Sequence, residues 1–292
     1  MSTLIAGTTI AESSPKANTL FAWTRRNPTI VVGSIILFAF VVIAFAAPYI
    51  ARDPLAFDPL TRLKPPSTQF WFGTDQLGRD VYARVINGTR VSLIVGVSVA
   101  AIAISTGLVI GILCGYYRRV DNIVMRIMDG LMAIPAILLA IALITLMKAS
   151  LLIVIFAIAL PEIPRVVRLV RSVVLSVREL PYIQAAVASG TRSRLIMARH
   201  ILPNTIAPLI VQATYVCASA VLTEAGLSFL GAGTPPEIPS WGNVIASGRT
   251  YFQISPWIIF FPGLMLALAV LAINLVGDGL RDSLDPRIAR RL

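Results

Sequence analysis

The sequence predicts an all-α membrane protein with six transmembrane helices. Three observations carry that prediction. The 292-residue chain is 57% hydrophobic and 13% charged, about half the charge of a soluble domain. Its apolar residues fall in long runs, which suit lipid better than an aqueous core. Its net charge of +11 sits in the gaps between those runs, the pattern of juxtamembrane charge facing the cytoplasm. No aromatic–basic platform lies outside the runs, so nucleic-acid binding is set aside in favour of a lipid bilayer as the first partner.

The elements follow in order. Residues 1–28 form a polar, Ser/Thr-rich cytoplasmic segment with Lys16, Arg25 and Arg26. The first apolar run is long enough to span and reads as an uncleaved anchor. Spans are expected at about 29–50, 91–117, 129–147, 149–164, 204–223 and 256–277, within a transmembrane domain of 29–278. The third is near the lower length limit. The fourth is short, because only 13 residues separate Lys148 from Glu162. Length alone favours a re-entrant segment there. Charge argues for a crossing, because otherwise the seven arginines from Arg165 to Arg199 face outward. The fourth helix is expected to continue past Glu162, with Glu162 and Arg165 paired at i, i+3.

Six spans place both termini on one side. With the termini inside, 17 of the 25 Lys/Arg are cytoplasmic. The remainder are the six of the first outer loop, Arg52 to Arg90, together with Lys148 and Arg249. A cytoplasmic loop then covers 165–203, and a cytoplasmic tail covers 279–292. Cys114 and Cys217 each lie inside an apolar run and read as small buried hydrophobes.

The inner loop holds the most information. Arg165, Arg168 and Arg171 mark one face of a helix, and Pro181 interrupts it. A short helix follows from Tyr182 to Ser189, with Ile183 and Val187 on one face and small Ala185, Ala186 and Ala188 permitting close approach. Gly190 suits a helix C′ position. A solvated basic loop explains the arginines; docking into a groove of a partner explains the small, apolar-faced helix.

This loop resembles the cytoplasmic EAA loop of ABC-importer permeases, in which Glu-Ala-Ala is followed by Gly and then by Leu-Pro. Here it stands as Gln184-Ala185-Ala186, Gly190 and Leu202-Pro203. Gln184 replaces the usual Glu, keeping the hydrogen bonding and losing the charge. FGTDQLGRDVYARVINGTRVSL (Phe72–Leu93), MRIMDGLMAIP (Met125–Pro135), LTEAGLSFLGAGTPPEIPSWG (Leu222–Gly242) and NLVGDGLRDSLDPR (Asn274–Arg287) are similar to segments of the dipeptide/oligopeptide/nickel branch, C-type subunit.

The resemblance implies a type I ABC importer permease fold and a bacterial inner-membrane location. It implies a non-enzymatic subunit forming half of a pathway for peptides or a related small solute. No cofactor is expected in this chain; ATP and Mg²⁺ are expected on one or two partner ATPase subunits. A sister permease and an extracytoplasmic substrate-binding protein complete the implied set. Tyr182, Gln184, Ala185, Ala186, Gly190, Leu202 and Pro203 are then the ATPase-coupling residues, and Gly73, Asp75, Gly78, Arg79, Asp80 and Trp241 are outer-loop family motifs.

The remaining features have two readings each. Asp75, Arg79 and Asp80 read as a structural ion pair or as a substrate contact. Trp241 and Trp257 read as interface anchors. Glu224 reads as a boundary charge or as a pathway residue. His200, the one histidine, reads as solvated or helix-capping, and neither it nor any other residue forms a metal set. No phosphate loop or catalytic cluster is present in the sequence. The rival function is a stand-alone secondary transporter or channel, which predicts paired intramembrane charges or repeat symmetry; neither is visible.

Overall fold

The computed structural model describes residues 27–284. The expectations for residues 1–26, and for the signature from residue 285 onward, lie outside the described residues. Among the described residues the chain forms ten α-helices and no strand. They are α1 Pro28–Ile50, α2 Val81–Tyr116, α3 Arg118–Ala133, α4 Ala136–Met147, α5 Leu151–Arg178, α6 Pro181–Ala188, α7 Ser193–Ile196, α8 Leu202–Phe229, α9 Trp241–Gly248 and α10 Trp257–Leu284.

Four helical stretches are long and apolar enough to cross a membrane: α1, α2, α10 and the 37-residue run Ser193–Phe229. In that last run a π-helical turn at Met197–Ile201 joins α7 to α8. The stretch expected as a third span, 129–147, is not one helix. α3 and α4 are long and apolar enough only as a pair, and the pair is bent by 89°. The break sits at Ile134–Pro135. Ile134 is extended, as the residue before a proline is steered to be. α4 alone has 12 residues, or about 18 Å of rise, short of a hydrocarbon core of about 30 Å. α3 is amphipathic.

α5 contains the stretch expected as a fourth span and runs on through Pro161 and Pro164 for 28 residues. Its middle carries Glu162, Arg165 and Arg168, which makes it less apolar than the other long helices. Arg165 donates to Glu162 at 2.7 Å, the expected i, i+3 pair. Two further arginines on the same face tie α5 to α3: Arg168 to Asp129 at 2.6 Å and Arg171 Nη2 to Asp121 at 2.7 Å.

The broadest interface joins α2 to α5. Gly107, Gly111 and Gly115 of α2 face Val166, Val170 and Val174 of α5 in turn. Small residues at every fourth position let two helix backbones approach closely. The pairs advance together along both chains, so α2 and α5 run parallel. The chain therefore reverses between them, and α3 with α4 makes that return. Ala149, just beyond α4, lies in one cleft with Arg84 and Gly231. The main core gathers Val95, Val99 and Ala103 of α2, Val154, Ile158 and Val170 of α5, and Val216 and Ala220 of α8. A second core joins Phe40, Val81, Val85, Trp241 and Ile258.

These contacts define two ends. Arg178 Nη1 donates to the Gly115 carbonyl at 3.1 Å, so residues 179–201 gather at the Tyr116 end of α2. Residues 51–80 lead into Val81 and gather at the other end.

Candidate functional site at the two ends of the bundle

At the Tyr116 end, Pro181 opens α6 after the break at Glu179–Leu180. α6 buries one side chain. Ile183 is 2% exposed and belongs to the main core with Val177, Ile196 and Ile201. Val187, expected on the same face, is 55% exposed, and Tyr182 is 47% exposed. Over one short turn the helix rotates Val187 away from the core, so the apolar face divides into an inward anchor and an outward patch. Ala185 is exposed and Ala186 half-buried.

Gln184 Nε2 donates to the Glu179 carbonyl at 3.2 Å, capping the end of α5 within the chain. Gly190 closes α6. Its N–H donates to the Val187 carbonyl at 3.0 Å and that of Thr191 to Ala186 at 3.1 Å, the Schellman pattern. The Gly190 φ of +76° is the left-handed conformation that a Cβ disfavours. Leu202 is half-buried and Pro203 exposed, in the first turn of α8. Asn204 Nδ2 donates to the His200 carbonyl at 2.6 Å and to the Tyr182 hydroxyl at 3.4 Å, tying α8 back to α6. The His200 ring meets Tyr182 edge-on at 6.0 Å.

At the other end, the expected Asp75–Arg79 pair is present and larger than expected. Asp75 is fully buried. Its Oδ2 accepts from Arg79 Nε at 2.7 Å and from Arg84 Nη1 at 2.8 Å. Its Oδ1 accepts from the Leu77 and Arg79 amides at 2.9 and 3.0 Å. Arg84, only 2% exposed, also donates to Ser247 Oγ at 3.3 Å. Asp80 is not in this pair; it caps α2 by accepting from the Tyr82 amide at 2.9 Å. Burial raises the Asp80 carboxyl above the usual carboxylate range, against the amide bonds that pull it down. Gly78, at φ +74°, turns so tightly that a Cβ there would lie 1.9 Å from the Asp58 carbonyl oxygen. Gly73 lies against the Trp257 indole.

Glu224 forms the neighbouring cluster. It is fully buried in α8, and its Oε1 accepts from Ser228 and Ser240 at 2.8 Å each and from Thr234 at 3.3 Å. Asn243 Nδ2 donates to Thr234 Oγ1 at 2.9 Å, so the loop 230–240 and α9 close over the carboxylate. Trp241 is not an interface anchor: it is fully buried. Its indole N–H donates to the Val85 carbonyl and its amide to Ser92 Oγ, both at 3.2 Å, and its ring packs edge-on to Phe40 at 5.6 Å. Trp257 is half-buried and donates to the Thr74 carbonyl at 3.2 Å. Among the described residues no group of three His, Cys, Asp or Glu could hold a metal ion.

The described residues thus place an exposed helix at one end, a buried polar rim at the other, and long apolar helices between them. Residues 107–290 match the family model of the binding-protein-dependent transport system inner membrane component. Residues 22–66 match the N-terminal TM domain of oligopeptide transport permease C. The chain belongs to this permease family. The permease is 55% identical to a probable peptide ABC transporter permease protein of Sinorhizobium fredii, over 97% of this chain and 98% of the relative. It is 43% identical to a dipeptide transport system permease protein of Alkalihalophilus pseudofirmus, over 92% and 89%. It is 39% identical to a glutathione transport system permease protein of Pectobacterium atrosepticum, over 91% and 90%. Its fold is similar to that of a chain of the MetNI methionine ABC transporter in inward-facing conformations. That match has a TM-score of 0.54 at 21% identity and covers 69% of this chain and 96% of that one.

The permease thus has the ABC importer fold that the motifs imply and is a multi-pass membrane protein. The structure brings Gly73, Asp75, Arg79 and Trp241 to one end with Glu224, and the coupling-loop residues to the other. Sequence reasoning missed Arg84, Ser228, Thr234, Ser240, Asn243 and Ser247. Arg84 carried one available signal: with Arg90 it is one of two cations in an otherwise apolar helix that Asp80 caps.

Proposed function

We propose that this permease forms half of a translocation pathway for di- or oligopeptides, or a related small solute, in a bacterial inner-membrane importer. The observation that carries the reading is α6, an exposed helix whose one buried side chain is Ile183, sited at the end away from the polar rim. Such a helix suits a groove on a partner. The partner is one of one or two ATPase subunits, which bind ATP and Mg²⁺; this chain supplies no cofactor site. Tyr182, Gln184, Ala185, Ala186, Gly190, Leu202 and Pro203 make up the coupling surface.

A sister permease forms the other wall, and a binding protein delivers substrate to the rim. In this reading the chain crosses six times, with α3–α4 and α5 as the third and fourth crossings, and both termini are cytoplasmic. The parallel course of α2 and α5 supports this count. The peptide and dipeptide relatives support the substrate class. Closure of the ATPases biases the complex between outward and inward access, a two-state equilibrium driven by a ligand.

The test is Ala186→Glu and Gly190→Ala in the reconstituted complex. Both are expected to reduce uptake and substrate-stimulated ATPase activity while the complex still inserts and assembles. Within this chain a Cβ at Gly190 meets nothing within 4 Å, so Gly190→Ala acts through backbone strain and the partner contact. Wild-type uptake with wild-type stimulated ATPase activity in both variants refutes the coupling assignment.

A further inference from the structure

The polar rim contains a cleft of about 380 Å³ between the 75–79 loop, the 228–236 loop and α9, within the range of small-ligand pockets. Its lining includes Gln76, Arg79, Arg84, Thr234, Asn243 and Ser247. Two arginines share one carboxylate there, because Arg79 and Arg84 both bond Asp75 Oδ2. The triad therefore carries one uncompensated positive charge. Arg84 is 2% exposed, and its Nε, a buried donor, has no acceptor. Gln76 Oε1, a buried acceptor, has no donor. Buried polar atoms are almost always paired, so each orphan marks an unmade contact. One cleft thus lacks an anionic acceptor and an N–H donor at once.

We propose that this cleft binds the free C-terminal end of the transported peptide, with the terminal carboxylate on Arg84 and a peptide N–H on Gln76 Oε1. A peptide terminus carries both missing groups close together. A carboxylate accepting from a guanidinium is among the stronger hydrogen bonds in proteins, and Arg79 adds to the local positive charge. A site built to bond a group rejects the analogue lacking it, because its own polar atoms then stay buried and unpaired. The proposal rests on the peptide reading above and deepens it by naming the part of the substrate that is read.

The test uses the complete reconstituted importer with its binding protein. Uptake is compared for one peptide as the free acid and as the C-terminal amide, each at a concentration that saturates the binding protein, whose affinity for both is measured separately. The wild type is expected to import the acid at least about tenfold faster. Gln76→Glu keeps an acceptor at this position and supplies an internal carboxylate that competes for the arginines, and should bring the acid-to-amide ratio near one. Gln76 makes no side-chain bond through Oε1, so this variant keeps the fold; Arg84→Gln is the second variant, checked for assembly.

An unchanged ratio in an assembled Gln76→Glu importer overturns the proposal. So does weaker docking of the unloaded binding protein with an unchanged ratio, which assigns the carboxylate to that protein instead. Failure of the wild type to import any peptide while it imports another solute overturns the peptide reading itself, and is distinguishable because no ratio then exists.

Discussion

Gly111→Ala adds one carbon to the α2–α5 interface, and the structure shows where it goes. The new Cβ would lie 2.6 Å from Val170 Cβ, 2.9 Å from Val170 Cγ1 and 3.0 Å from the Val167 carbonyl oxygen. Carbon atoms rest at about 3.5–4.0 Å, so the helices must part by about 1 Å. Overpacking of this kind costs about 1–3 kcal/mol. Replacing glycine inside a helix returns about 0.5–1 kcal/mol of backbone entropy. Gly130→Ala in α3 separates the two effects, because a Cβ there meets nothing within 4 Å. That control should be neutral or slightly stabilised, and Gly111→Ala should fall about 1–3 kcal/mol below it. Denaturation of the purified complex in lipid discs measures both. A second substitution sharpens the test. Val170→Ala removes Cγ1 but leaves the closer Cβ, so it should not relieve Gly111→Ala; Val170→Gly should, as a positive coupling in a double-mutant cycle. Equal stability of Gly111→Ala and Gly130→Ala, or equal rescue by both Val170 variants, refutes the close parallel packing of α2 and α5.

Three further outcomes are expected. Asp75→Asn leaves the buried Arg84 guanidinium without its counter-charge and should cost about 3–5 kcal/mol, read as lost thermal stability of the complex; wild-type stability would show that Arg84 finds another partner. Glu224→Gln keeps an oxygen for Ser228, Thr234 and Ser240 and should retain stability, whereas Glu224→Ala strands three hydroxyls and should not. If Glu224→Gln stays stable but stops uptake, the carboxylate charge is a pathway element rather than a structural one. Asp129→Asn, at an exposed pair with Arg168, should change stability by no more than about 1 kcal/mol, and a much larger loss would place that pair inside an interface.

How much of this was legible in the sequence depends on the range of the signal. Local features read well. The Glu162–Arg165 pair follows from i, i+3 spacing, the end of α6 follows from Gly190, and the restart at Pro181 follows from its missing N–H. The third apolar run hid its bend, because hydropathy averages over Pro135, while the backbone breaks there and turns by 89°. Trp241 misled for a different reason. An indole beside a polar loop resembles an interface anchor, but the loop folds inward and the Val85 carbonyl, 156 residues away in sequence, satisfies its N–H. Arg84 and the hydroxyls around Glu224 are brought together by the same inward fold. Residues as distant as Arg84 and Ser247 meet there, and no periodicity within one segment records such a meeting.

The geometry also specifies how a push on α6 would travel in the proposed assembly. α6 is not a free paddle, because Ile183 is buried with Val177 of α5, Ile196 of α7 and Ile201 of the π turn. Gln184 bonds the end of α5, and Tyr182 meets Asn204 of α8. A partner seated on α6 therefore loads α5 and α8 together. α5 cannot slide on α2 without driving valines past the close glycine contacts, and Arg168 and Arg171 bind it to α3. Displacement is thus transmitted as tilting of packed helices rather than as slippage. α8 carries it to Glu224 and the 228–236 loop, and α2 carries it to Arg84. Both helices line the rim cleft, through Ser228 and Arg84, so the tilting would reshape the space beside the orphan donor and acceptor.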